Sequence, residues 1–398
     1  LSDARPIRLA FTLISRKAWA GGYNYQLNLF HALAKYCPGA ITPVVFASEA
    51  HDAGELAPIR KVPGAETVCS VHLDRPALTS LLPTMFAQDR RAIASFRNHK
   101  IDAVWENARF FGWKSPYPTV AWIPDFQHQQ LPHLFSNNAR RRRELGFQLQ
   151  VLSGRTIILS SRSAERDCFS YYPRTKGRTA IVRFASEPSA ELLKLDPVEV
   201  LQKYDLPRTY FYVPNQFWRH KNHRIVLDAL SLLAQRGVHP VVAASGGGDP
   251  NDPEYLDQIV REAAGRGLAQ QFRYLGMIPL AEVYALLRSS AALINPSRFE
   301  GWSTTVEEAK SFGVPMMLSD IDVHREQAGE RARYFGTDDA AALAAHLQDF
   351  THPAFVVREM NDQLGGRVRE FAESFSSTIK RVVRAHRYGL GLLERAPP

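Results

Sequence analysis

The sequence predicts an α/β chain of two doubly wound, Rossmann-like domains facing a central cleft, and three observations carry that expectation. Its 398 residues exceed what one hydrophobic core organises. Short apolar runs alternate with amphipathic stretches, an alternation that implies parallel sheets covered on both faces. The alternation starts afresh near residue 209, which implies two sheets rather than one.

In the first half, IRLAFTLIS reads as a buried strand, GGYNYQLNLFHALAKY as a helix with apolar positions at helical spacing, and ITPVVFAS as a second strand. IDAVWEN, PTVAWIP and RTIILSS are further short strands, and RRRRELGFQLQVLS has a helical pattern. The second half runs TYFYVPN (strand), HRIVLDALSLLAQRG (helix), PVVAASG and FRYLG (strands), LAEVYALLRSS (helix), AALINPS (strand), TTVEEAKSFG (helix) and PMMLSD (strand). Residues 185 to 209 concentrate Pro and Ser and lose strand character, so the domain boundary is expected there. The expected parts are 1–187, 188–355, and a helical tail 356–398 packing back toward the first domain. Two such sheets would leave a cleft at the carboxyl ends of their strands, where ligands usually bind.

With 45% hydrophobic and 22% charged residues the chain is of the globular class. It has no run of eighteen apolar residues, and LSDARPIRLAFTLIS carries neither a basic leader nor a cleavage site, so a cytoplasmic chain is expected. Cys37, Cys69 and Cys168 form no C-x-x-C pair, which disfavours a disulfide framework or a zinc knuckle and fits a reducing compartment. The net charge of +9 is uneven: residues 1–187 hold 25 basic against 14 acidic residues, the remainder 24 against 26. A basic first half suits an anionic bilayer face, a phosphate-bearing acceptor, or simply a solvated surface. No zinc-finger or RNP-type signature supports nucleic acid as the partner.

Chemistry concentrates in RFEGWSTTVEEAKSFGVP, residues 298–315. The strand AALINPS ends at Ser297 and the helix starts near Ser303 or Thr304, so RFEGWS is a strand-to-helix loop. A helix start offers free N–H groups and partial positive charge to a phosphate, and Gly301 allows close approach of the backbone. Glu307 and Glu308 follow Thr304 and Thr305 by three residues, the spacing of a capping box, and for Glu307 the box is the preferred reading. Glu300 precedes the cap and neither caps nor packs.

The run NPSRFEGWSTTVEEAKSFGVPMMLSDIDVHREQAG resembles the nucleotide-sugar signature of retaining glycosyltransferases of family four, whose fold is the two-domain GT-B arrangement. The family's mark, two Glu with seven residues between, is matched by Glu300 and Glu308. The resemblance implies that Glu300 faces the donor sugar and Glu308 holds the ribose hydroxyls. The diphosphate would lie between them on the amides around Trp302, Ser303, Thr304 and Thr305. YFYVPNQFWRHKNHRIVLDAL resembles the first strand and loop of the donor domain, where Lys221 matches the lysine that neutralises the diphosphate. Gln216 stands where an Arg often precedes it, with Arg219 the nearby cation able to compensate. YLGMIP, with Gly276 and Ile278, resembles the turn beside the nucleotide base.

In the first domain, Gly21 and Gly22 match the glycine loop that approaches the donor phosphates, although a Gly-Gly turn is also an ordinary strand-to-helix connection. TVAWIPDFQHQQLPHLFS resembles the segment in which many members carry His-Asp: Asp125 matches the Asp, Pro124 replaces the His, and His128 is the substitute, or else an ordinary surface residue. Asp320-Ile-Asp322 spells the D-x-D of metal-dependent transferases of another fold, but it is read as a strand-end turn with Asp322 capping the next helix. Arg140 to Arg143 are candidates to lie against phosphate headgroups, or a solvated face.

The resemblance implies retaining hexosyl transfer that needs no cofactor and no metal. Lys221, the helix-start amides and Gly21-Gly22 would supply positive potential in place of magnesium, Glu300 would orient the sugar, Asp125 or His128 would position the acceptor, and domain closure would exclude water. The donor expected is a nucleoside-diphosphate sugar, GDP-mannose-like or UDP-hexose, and the acceptor a saccharide or lipid-linked glycan. The alternatives are a nucleotide-sugar-binding partner without turnover in a membrane glycan-assembly complex, or an epimerase or phosphorylase on the same fold.

Overall fold

The computed structural model describes residues 5–48, 53–70, 88–107, 109–350 and 355–388. It divides into two compact units, Leu1–Ala185 with Gly365–Pro398, and Ser186–Leu364.

Among the described residues the first unit is built on seven parallel strands: β1 (Ile7–Thr12), β2 (Ile41–Ala47), β3 (Glu66–Cys69), β4 (Ala103–Glu106), β5 (Thr119–Trp122), β6 (Thr156–Leu159) and β7 (Thr179–Ile181), in the order 3-2-1-4-5-6-7. Between them lie α1 (Ala20–Tyr36), α2 (Ala53–Arg60), α3 (Arg90–Asn98), the single turn α4 (Gln127–Gln130), α5 (Asn137–Leu152) and α6 (Arg162–Tyr171). The central strands read as unbroken apolar runs because both faces are buried, as parallel sheets require. The edge strands β3 and β7, half exposed, are the two strands of this sheet that the sequence reading missed.

The second unit holds six parallel strands: β8 (Phe211–Val213), β9 (Val242–Ala244), β10 (Phe272–Tyr274), β11 (Leu293–Asn295), β12 (Met316–Ser319) and β13 (Ala332–Phe335), in the order 10-9-8-11-12-13. Its helices are α7 (Pro197–Lys203), α8 (His223–Ala234), α9 (Glu254–Gly265), α10 (Leu280–Ser289), α11 (Thr304–Phe312), α12 (Asp322–Ala328) and α13 (Ala340–Asp349). Successive strand residues go to opposite cores: Phe211, Val213 and Ile294 join one cluster, Tyr210, Tyr212 and Leu293 the other. The long helix α14 (Leu364–Tyr388) follows, and its Phe371 packs on Tyr25 and Phe184 of the first unit's fold. No helix among the described residues is long and apolar enough to cross a membrane.

In both sheets the strand order reverses beside the first strand, between β1 and β4 and between β8 and β11. That reversal splays the connections to either side and opens a crevice at the carboxyl ends.

Candidate functional site

At the reversal of the second sheet, two loops meet. The loop after β8 ends in a 3-10 turn over Arg219–Lys221, followed by Asn222 in the left-handed region at φ 57°, its amide donating to the Thr337 carbonyl at 2.8 Å. The loop after β11 runs from Pro296 to α11. The two are tied where Arg298 N donates to the His220 carbonyl at 2.7 Å. This brings Lys221 Nζ to 2.6 Å from Glu300 Oε1, across 79 residues of sequence. Both side chains are largely buried.

Ser297 Oγ also lies 2.8 Å from Glu300 Oε1. Burial alone would raise the Glu300 carboxyl, but Lys221, with His324 and His220 behind it, holds it down to about 2. His220 is itself pushed down to about 3, by burial first and then by Lys221, so it is neutral near pH 7. The charge opposite Glu300 is therefore that of Lys221.

Behind this pair sits Asn295, a residue the sequence reading did not single out. It is fully buried at the end of β11. Its Oδ1 accepts from Ser297 N at 3.2 Å and faces Ser297 Oγ at 2.6 Å, while its Nδ2 donates to Ser303 Oγ at 2.8 Å and Thr305 Oγ1 at 3.2 Å. One amide thus fixes both the serine that contacts Glu300 and the start of α11. The signal was present in sequence as a polar residue closing an otherwise apolar strand.

The expected capping box at α11 does not form. The helix cap is Ser303, whose hydroxyl is taken by Asn295, and Glu307 falls one residue beyond the box position. Glu307 instead accepts from Lys310 Nζ at 2.7 Å and Gln327 Nε2 at 3.0 Å. Gln327 further clamps Ser303 through both its backbone N–H and its carbonyl. The first-turn N–H groups of Thr304, Thr305 and Val306 have no partner four residues back within the helix. Lys310 Nζ stands 5.9 Å from the centre of the Trp302 ring, and Gly301 is half-buried beside it. Glu308 is buried, with Tyr284 Oη donating to it at 3.2 Å, and burial pushes its carboxyl up to about 7.

Gln216 Oε1 accepts from Gly247 N at 2.7 Å. Gly247 belongs to a turn, SGGGDP after β9, that the sequence reading passed over. Its neighbour Gly246 has φ 149°, and a Cβ there would stand 2.3 Å from the Asn215 carbonyl oxygen, so only glycine fits. Gly246 N donates to the Gly276 carbonyl at 3.0 Å, joining this turn to the one expected beside the base. In that turn Ile278 packs into the unit's core, and Met277, 68% exposed, is the side chain presented outward. Arg219 is not available to replace the missing Arg: it forks onto Asp252 and lies 5.1 Å from the centre of the Tyr255 ring.

The D-x-D pair has no metal-like geometry. Asp320 is forked by Arg325 at 2.7 and 2.8 Å. Asp322 opens α12 rather than capping it, the cap being Ile321.

The remaining candidates lie in the first unit. Asp125 Oδ1 accepts from Gln127 N and from Arg143 Nη2, both at 3.0 Å. Arg143 therefore leaves the basic group, while Arg140, Arg141 and Arg142 are exposed. His128 is neither a loop residue nor a surface one: on α4 it is fully buried, 3.2 Å from Glu144 Oε2 and against Phe147. Burial lowers its pKa despite the Glu144 contact, and it presents no surface to an acceptor. Gly21 and Gly22 open α1, but the Trp19 indole covers them: a Cβ on Gly22 would stand 2.3 Å from its ring.

Residues 199–370 match the family described as glycosyl transferases group 1. The chain is 24% identical over 264 residues to the O-antigen chain mannosyltransferase B of Escherichia coli, covering 65% of this chain and 67% of that protein. Among solved structures it is similar to Anabaena HepE in complex with UDP and glucose, with TM-score 0.62 and 14% identity over 96% of this chain and 99% of that one. WaaG, a glycosyltransferase involved in lipopolysaccharide biosynthesis, superposes with TM-score 0.59 and 12% identity over 94% and 98% of the two chains. Those structural likenesses establish the shared two-sheet GT-B fold.

Proposed function

We infer that this chain, a GT-B glycosyltransferase whose residues 199–370 form a group 1 glycosyltransferase domain, moves a hexose from a nucleoside-diphosphate sugar to a saccharide or lipid-linked glycan, with retention and without metal. The observation that carries this reading is the contact of Lys221 with Glu300. In an activated sugar the β-phosphate and the anomeric carbon share one oxygen. A cation for the first and a carboxylate for the second must therefore be neighbours, and here they are 2.6 Å apart.

Cleavage of that shared bond places negative charge on the departing phosphate. Lys221 and the first-turn amides of α11 supply fixed positive potential there, each well-placed donor contributing about 2.7–4 kcal/mol to the transition state. Glu300, ionised across the physiological range, orients the sugar and stabilises charge building on its ring. In the mechanism the family resemblance implies, the acceptor hydroxyl attacks from the face the leaving group vacates and its proton passes to the departing phosphate. Glu308 receives the ribose hydroxyls.

The relative named for O-antigen mannose transfer favours GDP-mannose as donor and surface-polysaccharide assembly as the setting, whereas HepE was solved with UDP and glucose. The exposed Arg140, Arg141 and Arg142 suit a phosphate-bearing acceptor at an anionic bilayer face. A thermal-shift screen of GDP, UDP and their sugars tests the reading, because a ligand bound only by the folded state raises the melting temperature. Stabilisation by one nucleotide family, lost in Glu308→Ala, is expected; no stabilisation by any of them would overturn it.

A further inference from the structure

We propose that His324 is a positioning residue for Glu300, holding the loop after β11 through Ser319 and Ser297; the inference rests on the glycosyltransferase reading for what Glu300 does. His324 lies in the first turn of α12 and is fully buried, as are Ser319 at the end of β12 and Ser297 beyond β11. Ser319 Oγ donates to the Ser297 carbonyl at 2.5 Å. His324 Nδ1 stands 2.9 Å from the Ser319 carbonyl oxygen and 3.1 Å from Ser319 Oγ. Ser297 Oγ in turn reaches Glu300 Oε1 at 2.8 Å.

The hydrogens available fix the direction of each contact. A carbonyl oxygen only accepts. The Ser319 hydroxyl has one hydrogen, and the Ser297 carbonyl takes it, so toward the ring Ser319 Oγ also accepts. Both contacts therefore require the proton on Nδ1. Burial lowers the pKa of His324 against the pull of Glu300, so the ring is neutral near pH 7 and Nε2 is bare. Among the described residues Nε2 is buried with no hydrogen-bond partner, which leaves Nδ1 as the nitrogen that holds the serine.

Ser297 needs that tie. Its single hydroxyl hydrogen is shared between Asn295 Oδ1 at 2.6 Å and Glu300 Oε1 at 2.8 Å, so its side chain alone cannot fix the carboxylate. The hydrogen bond to its carbonyl keeps the backbone within reach of both. A serine hydroxyl turns to suit its neighbours, and with Nδ1–H against its lone pairs the Ser319 hydrogen is left pointing at Ser297. Lys221 and Ser297 both fall on Oε1, so the set of this loop decides where Oε2 points. A role confined to closing α12 would not need a buried ring: a short polar side chain at the cap position, held here by Ile321, would do that.

Asparagine places an amide N–H where Nδ1 stands, glutamine where Nε2 stands, and leucine neither. Release of GDP from GDP-mannose and of UDP from UDP-glucose reads turnover onto any acceptor present, water included. His324→Gln and His324→Leu should lower kcat roughly ten- to hundredfold with the donor KM changed by less than about twofold, and His324→Asn should recover to within about threefold of the unaltered enzyme. Full turnover in a folded His324→Leu overturns the proposal, as does recovery by glutamine equal to that by asparagine, or recovery by neither. The Asn and Gln variants decide it if the leucine variant does not fold. The chain has thirteen histidines, so the His324 signal of ¹⁵N-histidine-labelled protein is assigned by its loss in His324→Asn. A protonated Nδ1 and a bare Nε2 are expected near pH 7, with a shift of that signal in Ser319→Ala. A proton on Nε2 in an enzyme that turns over its donor sinks the positioning inference alone. A proton on Nδ1 in a chain that neither binds nucleotide nor releases it from a donor sinks the proposed reaction alone, and a proton on Nε2 in such a chain sinks both.

Discussion

Lys221 and Glu300 form a buried ion pair whose members arrive from two loops on either side of the strand reversal, with Nζ and Oε1 2.6 Å apart. Removing one partner of a buried pair leaves the other uncompensated, at a cost of roughly 3–5 kcal/mol. Lys221→Ala is therefore expected to lower both stability and activity, and Glu300→Gln to lower kcat by at least ~10²-fold. The double variant should be more stable than Lys221→Ala alone while remaining inactive. Chemical denaturation of the four proteins checks this; strictly additive losses would show that the two groups are not coupled in solution.

Glu308 gives a pH signature. Its carboxyl titrates near 7 in the fold and near the ordinary 4.5 when unfolded. Between those values the folded state holds a proton the unfolded state has released, so stability is greatest below 4.5 and falls as pH rises through 7. Glu308→Gln should be close to neutral at about pH 4 and stabilising by on the order of 3 kcal/mol at about pH 8. Nucleotide affinity should move the opposite way, tightening as the carboxylate forms. Melting curves and nucleotide titrations across that range would reveal a flat response if the site is open to water.

Metal removal should leave transfer unchanged. Asp320, the leading residue of the D-x-D pair, is occupied by Arg325, and no His, Cys, Asp and Glu cluster among the described residues has metal-binding geometry. Activity in EDTA equal to that in magnesium is the expected result, and Asp320→Asn should retain it. A strict Mg²⁺ requirement would contradict the metal-free mechanism.

The glycine turn after β9 separates two kinds of glycine. At Gly246 a Cβ would meet backbone at 2.3 Å in a conformation side chains avoid, whereas at Gly247 it would meet the flexible ends of Met277 and Gln216 at 3.2 and 3.3 Å. Gly246→Ala should destabilise the chain by about 3 kcal/mol or more, and Gly247→Ala by under about 1 kcal/mol. Equal melting temperatures for the two variants would refute the distinction.

The fold was legible because buried parallel strands announce themselves as apolar runs, and the elements passed over are the ones where that signal fades. β3, β7 and β13 are edge strands, each partly exposed, and so alternate with polar residues in runs too short to stand out. Glu300, Glu308 and Lys221 were legible from the spacing and order of a family motif. Their partners were not: that Arg219 is taken by Asp252, that Trp19 covers Gly22, and that Asn295 links Ser297 to Ser303 depend on which loops the topology makes adjacent. Local pattern reports what a residue can do, and tertiary neighbours decide what it is already doing.

The dual grip of Asn295 has a dynamic corollary. Because the same buried amide restrains the serine beside Glu300 and the hydroxyls at the head of α11, thermal excursions of β11 carry both in step. Their displacements are correlated, and the spacing between Glu300 and the first-turn amides of α11 fluctuates less than either position does by itself.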